Sequence, residues 1–451
     1  MPVPEPGISD TRYPPLFSVP TRSRGEFSLA PIGRIGTLAV RLAWVVAEAD
    51  PKIASFRYRC LIPAWGLHRL GCESRIFSDA PPDPRAFDAL IVVKLAEPQL
   101  AAVAKSFRAC GKPIILDLCD NVFIPGYARR RGPELCGKSV ADLLVNVDAV
   151  VTPTAALARV VLPHIVGMTG VAAIPDAAMT MADYQAMCAW LPARIDYASA
   201  KSRPGHAGSR RWRAGTMLRT PARGRQGPFA RLRNGASEER RFGPDTDWLV
   251  DHLPKDTGRV LWFGRHGSSH SLFGMSLIEP LMPVLERMHR HRPIELVVAS
   301  NNQDRYEALT GRARLFTRYE AWSSERVFFE LSRSDAVIMP NGADAFAVCK
   351  SANRAVLALA NNVPVVASYL EALEPLKRAI VIDDWQGGLH RYLLGDGADR
   401  AVDLARGRSI LASQFGIDVI ARQWAELLEA LLQAHRAIDC RRRADTAAAD
   451  T

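Results

Sequence analysis

The sequence lacks the motifs that mark several common protein classes. Its eight cysteines form no Cys-x-x-Cys pair, so we expect reduced thiols rather than a zinc or disulfide site. No run approaches the ~18 consecutive apolar residues that span a bilayer. A Gly-x-Ser-x-Gly elbow, a Walker loop and a His-Glu-x-x-His motif are also absent. These absences leave a large α/β enzyme or binding protein as the main class.

The N-terminal segment also lacks an apolar core. Residues 1–35 are rich in Pro, Gly, Ser and Arg, which predicts a flexible tail and not a signal peptide. We therefore predict a cytoplasmic protein. Its 451 residues are enough for two or three domains.

The formal charge of +11 is concentrated in one segment. Residues 194–241 contain 13 Lys and Arg but 3 Asp and Glu, so they carry +10 and the rest of the chain is nearly neutral. A local basic segment predicts one exposed stretch that meets an anionic partner. A solvated linker, an anionic membrane surface that would make the protein peripheral, and nucleic acid remain open, with nucleic acid the least favoured.

Strand-like apolar runs alternate with helical patterns in two stretches of the chain. This alternation is typical of βαβ units and a parallel sheet, so we predict two Rossmann-like domains, at 36–179 and 258–400. The predicted strands cover residues 37–46, 74–77, 89–93, 113–117, 149–151, 171–174, 259–263, 294–299, 336–339 and 363–367.

The remaining stretches show weaker patterns. Residues 180–257 lose their apolar periodicity, which predicts a long, irregular, partly disordered basic insert between the two domains. Residues 401–435 are predicted to form helices that return toward the first domain. Residues 436–451 are expected to be a flexible tail.

One segment of the second domain combines a strand, a Gly-containing loop and a helix. We expect Ser351 to cap this helix, with Lys350, Asn353 and Arg354 in its first turn. A helix N-terminus suits a phosphate, but cations there oppose the helix dipole unless an anion is bound. The segment therefore predicts a diphosphate site; a solvated basic turn is the alternative.

The same segment resembles the nucleotide-sugar-binding region of the family 4 (group 1) glycosyltransferases. The resemblance is carried by Lys350-Ser-Ala-Asn-Arg354 and Asn362-Val-Pro-Val-Val-Ala367, together with similar segments at 55–64, 260–264 and 415–432. It implies a GT-B-like α/β fold, with two Rossmann-like domains facing across a cleft, and a nucleotide-sugar donor as co-substrate. It also implies retention of anomeric configuration. We expect no metal or other cofactor, because cations and helix dipoles can neutralise the phosphates.

One departure from that family affects the predicted activity. The family often carries two glutamates eight positions apart, and here Cys349 and Leu357 occupy their places. Neither side chain accepts a ribose hydrogen bond as a carboxylate does. Asp344 is the nearest carboxylate that could substitute. A degenerate, non-catalytic protein that binds a nucleotide or a glycan is therefore the alternative function.

A second donor-binding loop is predicted after the first strand of the second domain. Gly264 and Gly267 would let the backbone approach a phosphate, Arg265 would supply charge, and His266 would bond a phosphate or ribose oxygen. An ordinary tight turn explains the same residues.

The acceptor is predicted to lie on the first domain. Asp120 follows a strand and could orient the acceptor or act as a base, unless it only caps local N–H groups. Arg57, Tyr58 and Arg59 are predicted to lie in a loop at the cleft and to bind an anionic acceptor or the donor phosphates, unless the arginines are simply on the surface.

Taken together, the sequence predicts a glycosyltransferase. Its catalytic residues would be Asp120, Arg265, Lys350 and Arg354, and its acceptor would be a glycan, a lipid-linked molecule or a small molecule. An Asp-x-Asp at Asp245 lies in the irregular insert, and we interpret it as chance.

Overall fold

The chain forms two lobes, each built on a parallel β-sheet. The computed structural model describes residues 40–78, 80–94, 98–125, 127, 140–165, 167, 169–196, 253–267 and 273–449. Both sheets are covered by helices, which confirms the predicted α/β fold with two Rossmann-like units.

The first lobe contains a seven-stranded sheet in the order β6-β5-β4-β3-β1-β2-β7. Its central strands are apolar and buried on both faces, as parallel strands covered by helices require. The strands are β1 (Arg41–Val45), β2 (Glu73–Phe77), β3 (Ala89–Val93), β4 (Ile114–Asp117), β5 (Ala149–Thr152), β6 (Gly170–Ala173) and β7 (Ile195–Asp196).

The second lobe contains a six-stranded sheet in the order β10-β9-β8-β11-β12-β13. From β8 the sheet extends through β9 to β10 on one side, and the chain then crosses to the other side of β8 to form β11, β12 and β13. The carboxyl ends of β8 and β11 therefore flank a topological switch point, where ligands commonly bind. The strands are β8 (Gly258–Phe263), β9 (Ile294–Ser300), β10 (Phe316–Ala321), β11 (Ala336–Met339), β12 (Val365–Ala367) and β13 (Val381–Ile382).

Eleven α-helices with complete bounds in the described ranges surround the sheets. Helix α1 is continuous through Ala54–Phe56, Arg57–Leu61 and Ile62–Arg69, and its middle turn is a π-helical turn. The others are α2 (Pro98–Ala109), α3 (Ala155–Val161), α4 (Met181–Trp190), α5 (Met282–His291), α6 (Gln303–Thr310), α7 (Ser324–Leu331), α8 (Asn353–Ala360), α9 (Trp385–Leu393), α10 (Ala398–Ile410) and α11 (Ile417–Ala449).

The predicted boundary of the basic insert is wrong at its start. Residues 180–196 belong to the first lobe, because Thr180 and Asp183 form a capping box that starts α4. Strand β7 then pairs with β2 in the first sheet. The capping box was the missed signal. The rest of the insert, up to residue 252, lies outside the described residues, as does the predicted tail at 1–35.

The predicted C-terminal tail is largely helical. Helix α11 continues through Ala449, because alanine and arginine are strong helix formers. At His435, Nε2 lies 3.2 Å from Asp148 Oδ1 and Nδ1 lies 3.1 Å from the Gly111 carbonyl oxygen. The tail prediction therefore mistook a polar helix for irregular chain.

Helix α11 returns to the first lobe and closes its core. The rings of Trp44 and Trp424 lie 5.5 Å apart, and both are fully buried. A Cβ at Gly66 would lie 2.8 Å from the Ala421 side chain, so glycine allows this close helix contact. None of the helices in the described ranges combines the length and apolar character that a membrane crossing needs.

Candidate functional site

The two lobes meet where the carboxyl ends of their strands face each other. Lys350, which precedes α8 in the second lobe, places Nζ 2.5 Å from Asp120 Oδ1 in the first lobe. Lys94, directly after β3, contacts the other oxygen of Asp120 at 2.5 Å. The structure thus brings the predicted catalytic residues Asp120 and Lys350 together.

The environment of Asp120 keeps it ionised. Burial opposes its charge, but Lys94 and Lys350 outweigh that effect and hold the pKa of Asp120 well below its usual range. A carboxylate with such a low pKa is a weak proton acceptor at neutral pH. Asp120 therefore positions the two ammonium groups in this structure rather than offering a free base.

Residues at the start of α8 contact the opposite lobe through the buried carboxylate of Asp176. Ser351 Oγ donates to Asp176 Oδ2 at 2.6 Å, and Asn353 Nδ2 donates to the same oxygen at 3.2 Å. Ala352, and not Ser351, is the N-cap residue of α8, so the predicted capping role is wrong. Ser351 and Asn353 instead link the lobes through Asp176.

Arg59 lies beneath this contact and is not available to an acceptor. Its guanidinium donates to Asp117 Oδ2 at 2.8 Å and to Asp176 Oδ1 at 2.9 Å, with 1% of its side chain exposed. Burial would lower the pKa of Arg59, but the two carboxylates outweigh it and raise the pKa. The acceptor-binding prediction for Arg59 is therefore wrong, since the residue is an internal anchor.

Arg57 and Tyr58 are also buried, because the predicted loop is the π-helical turn of α1. Arg57 donates to the Pro51 carbonyl at 2.6 Å and to Ser324 Oγ of the second lobe at 3.2 Å. Its guanidinium also lies 5.5 Å from the Trp322 ring centroid. These contacts join the lobes, and the predicted acceptor-binding role of both residues is wrong for this arrangement.

Arg354 differs from Arg59 in having no acidic partner among the described residues. Its guanidinium donates weakly to the Phe263 carbonyl at 3.4 Å and to Asn341 Oδ1 at 3.3 Å. No carboxylate of a described residue lies within ion-pair distance of it. Burial accordingly lowers the pKa of Arg354 to about 10. A partly buried cation with no acidic partner among the described residues is an environment that favours a bound anion.

The glycine loop after β8 lies beside Arg354. Gly264 has φ 155°, and a Cβ there would lie 3.4 Å from the Arg354 guanidinium. Gly267 has φ 124°, and a Cβ there would lie 2.7 Å from the Phe273 carbonyl oxygen. Both positions therefore favour glycine for their backbone conformation, and Gly267 also requires it for close approach. The structure brings the two predicted donor-binding segments together.

The other two residues of that loop differ in exposure. His266 is held by Asn301, whose Oδ1 lies 3.0 Å from the ring Nδ1 and 3.2 Å from the backbone nitrogen. Arg265 is exposed and makes no ion pair with a residue in the described ranges. Its predicted role in charge stabilisation stays a prediction.

The positions of the two missing glutamates are both buried. Cys349 borders the interlobe cleft but is only 1% exposed, and Leu357 lies in the hydrophobic core. The predicted substitute, Asp344, uses Oδ1 to accept the backbone N–H groups of Phe346 and Ala347 at 2.9 Å. Asp344 therefore caps its own turn, and a ribose-binding role for it stays a prediction.

A cleft of about 680 Å³ opens between the lobes at the carboxyl ends of β11, β12 and β13. This volume is in the usual range for a small-molecule site. Its first-lobe wall is α3, and its second-lobe walls are the loops after the three strands. Asn341 lines the cleft and accepts a hydrogen bond from Arg354, so the cleft adjoins the unpaired cation.

Sequence reasoning missed Lys94 and Asp176. Both follow strands of the first sheet, β3 and β6, so the rule that located Asp120 would also have located them. Lys94 has φ 57°, an uncommon conformation for a residue other than glycine. Their partners lie in distant parts of the chain, and for this reason the pairings themselves had no local signal.

Metal ligands were also sought among the described residues. In those ranges, no group of three or more His, Cys, Asp or Glu side chains is arranged to hold a metal ion. Asp245 and the rest of the Asp-x-Asp lie outside the described ranges.

Comparison with known proteins gives matches by structure only. No protein family matches the sequence, and no curated protein matches it either. Three solved structures are similar at 12% identity, and each match covers 99% of the other chain. HepE from Anabaena in complex with UDP and glucose matches 86% of this chain with a TM-score of 0.50. A UDP-forming α,α-trehalose-phosphate synthase from Burkholderia vietnamiensis and a glycosyltransferase from Rickettsia africae each match 88% of this chain, with TM-scores of 0.53 and 0.51.

These matches extend over both lobes of the chain and nearly the full length of each neighbour. At this identity, the likeness establishes architecture. The chain therefore has a two-lobed α/β architecture of the GT-B type.

Proposed function

We propose that this protein is a glycosyltransferase that moves a sugar from a nucleoside-diphosphate sugar to an acceptor held between the lobes. The observation that carries the proposal is the guanidinium of Arg354, which has no acidic partner among the described residues and lies beside Gly264 and the interlobe cleft. Structures with this fold have been solved with UDP and glucose, and with UDP-2-fluoro glucose.

The diphosphate would lie against Arg354 and the loop that contains Arg265 and His266. As the bond between the sugar and the phosphate oxygen breaks, negative charge builds on the leaving diphosphate. Arg354, Arg265 and Lys350 would stabilise that charge, with no metal in the proposed site. Gly264 and Gly267 would let the phosphates approach the backbone. Ser351 and Asn353 would contact the donor with the hydrogen-bonding capacity that their bonds to Asp176 leave, and Asp344 would accept a hydrogen bond from a donor hydroxyl group.

The ion pair between Lys350 and Asp120 gives Lys350 a defined position at the cleft. Asp120 would serve as a positioning residue, because its low pKa disfavours proton uptake. The Lys350 ammonium also lies 3.9 Å from the Phe346 ring centroid. This contact further restricts its movement, which favours electrostatic stabilisation over acid–base chemistry.

Finer assignments are part of the same proposal. The segments 350–354 and 362–367 favour a relationship to family 4 and hence retention of anomeric configuration. Residues 194–241 are proposed to meet an anionic membrane surface, although only 194–196 lie in the described ranges.

A non-catalytic binding protein is the second candidate, and a specific observation favours it. Cys349 and Leu357 supply no carboxylate at the two glutamate positions, and Leu357 is buried in the core. A protein of this kind would bind the nucleotide at Arg354 without turnover.

A thermal-shift screen with UDP, GDP and ADP tests the site. Ligand at about 100 times its Kd stabilises the native state by ~2.7 kcal/mol, which raises Tm by a few degrees. Arg354→Ala removes a charge-assisted contact, so we expect affinity to fall about tenfold to a hundredfold. Arg408→Ala is the matched control, because Arg408 contacts Asn362 beyond the other end of α8.

The outcomes separate the two candidate functions. A nucleotide that stabilises the wild type and the control, but much less the Arg354→Ala variant, supports the site. Release of nucleotide from a panel of radiolabelled nucleotide-sugars then supports the transferase. Binding without any turnover would favour the non-catalytic protein, and equal stabilisation of all three proteins would contradict the Arg354 site.

A further inference from the structure

The burial of Arg57 and Arg59 removes the groups that were expected to bind an anionic acceptor. Both guanidinium groups are committed to partners inside the protein. The binding groups for an acceptor must therefore be sought on the walls of the 680 Å³ cleft, which receives residues from both lobes.

Tyr369 is the most conspicuous side chain of that cleft. It follows β12, and 51% of its surface is exposed although it is large and aromatic. Its backbone N–H donates to Asp383 Oδ1 at 2.9 Å. Asp383 itself has φ 60°, in the left-handed region that non-glycine residues rarely adopt. These contacts fix the backbone that carries the exposed ring.

A second pair of contacts makes the neighbouring loop equally rigid. The backbone N–H of Asn341 donates to Ser368 Oγ at 3.2 Å, and Asn341 Nδ2 donates to the Ser368 carbonyl at 3.0 Å. Asn341 also accepts from Arg354. Asn341 therefore connects, through hydrogen bonds, the loop that carries Tyr369 to Arg354 at the proposed diphosphate position.

The charged side chains that line the cleft are mostly acidic. Its charged lining residues are Arg159, Glu371 and Asp383, and Arg159 is paired with Glu371 across the two lobes. The lining therefore carries a net negative charge. Carboxylate oxygens accept hydrogen bonds from hydroxyl groups, and the face of an aromatic ring packs against the C–H face of a sugar ring.

We propose that the Tyr369 cleft, defined by Asn341, Ser368, Tyr369, Glu371 and Asp383 with Arg159 opposite, is the acceptor subsite and binds an uncharged sugar ring. The role as acceptor subsite rests on the proposed glycosyl transfer; the binding of a sugar ring does not. The sugar would stack on Tyr369 and donate hydroxyl hydrogen bonds to Asp383 and Glu371. Because the first-lobe helix α3 forms one wall, bound sugar would contact both lobes.

Saturation-transfer difference NMR tests the subsite on the full chain with saturating UDP. The probes are methyl α-glucoside, methyl α-mannoside and methyl α-galactoside, each titrated to millimolar concentrations. We expect at least one glycoside to bind, and Tyr369→Ala to weaken it by about tenfold, the upper end of the free energy of an aromatic contact. Tyr369→Phe keeps the ring and should retain most of the affinity.

Two further variants define the site. Asp383→Asn preserves the acceptor for the Tyr369 N–H and tolerates the left-handed backbone, but it removes the charge, so we expect a loss of about threefold to tenfold. Phe329→Ala is the control, because Phe329 is an exposed aromatic on α7 outside the cleft. Each variant is first checked for an unchanged melting temperature without ligand.

The possible results separate failure of this inference from failure of the proposed function. Glycoside binding that survives Tyr369→Ala, or no binding of any probe to the wild type, overturns the subsite. A loss of UDP affinity in Tyr369→Ala with unchanged glycoside binding assigns the ring to the nucleobase and also overturns it. Glycoside binding that depends on Tyr369 in a protein that binds no nucleotide supports the subsite while contradicting the transferase.

Discussion

Arg59 in the first lobe and Arg354 in the second make a direct comparison. Arg59 is buried beneath the contact between the lobes and Arg354 lies beside the interlobe cleft, and the sequence predicted a ligand-binding role for each. Arg59 contacts two buried carboxylates, whereas Arg354 contacts only a carbonyl and an amide oxygen of described residues. The partners, and not the residue type, distinguish a structural arginine from one that suits an anionic ligand.

The largest expected effect is a loss of stability when the guanidinium of Arg59 is removed. Arg59→Met would leave Asp117 and Asp176 buried without their cation, so the free energy of unfolding should fall by about 3–5 kcal/mol. Urea denaturation measures this change. The control is Arg69→Met, which breaks an exposed pair with Asp418 and should cost less than about 1 kcal/mol. Equal, small losses in both variants would contradict the anchoring role.

The pH dependence of stability tests the same comparison through Asp117. Burial raises its pKa to about 6, although Arg59 opposes the shift. The native state therefore binds more protons than the unfolded state between about pH 4 and 6, and this group makes the protein more stable as pH falls through that window. Between pH 7 and 4.5, we expect wild type to gain about 1–3 kcal/mol relative to Asp117→Asn.

Other titrating groups are controlled in that measurement. The pKa of His435 is raised by its bond to Asp148, so it also adds stability at lower pH, but equally in both proteins. Asp120, whose pKa is lowered, loses its contribution only below about pH 4. Parallel pH profiles for wild type and Asp117→Asn would show that Asp117 does not titrate in this range.

The smallest expected effect is an increase in the free energy of unfolding. Arg354 is a desolvated cation without a described acidic partner, so Arg354→Met should raise the free energy of unfolding by about 1 kcal/mol in the absence of ligand. Thermal and urea denaturation without nucleotide measure it. A destabilised variant would show that the contacts of Arg354 with Phe263 and Asn341 stabilise the fold, and that no anion is needed.

Most of the fold could be predicted because its signals are local. The apolar runs at β3, β8 and β11 are bounded by turn residues and lie within a residue of the predicted strands. The short strands β7 and β13 contain two residues each, too few for a pattern. Helix α4 was missed although its capping box is local, because its apolar positions lack a clear period.

The site was predictable in its location but less so in its contacts. The rule that ligands bind beyond strand ends correctly brought together Gly264 and Arg354, and likewise Asp120 and Lys350. It could not assign Arg59 to the interior. Arg59 and Asp117 are 58 positions apart and Asp176 is 117 positions from Arg59, so no local pattern relates them.

Apolar periodicity and chain connectivity, which are properties of the sequence, set the two parallel sheets, their order along the chain and the edges where polar residues collect. They do not set which cations are neutralised and which are not. The pairing of charges depends on distances between residues far apart in the chain, and burial changes the free energy of each charge according to the partner it meets.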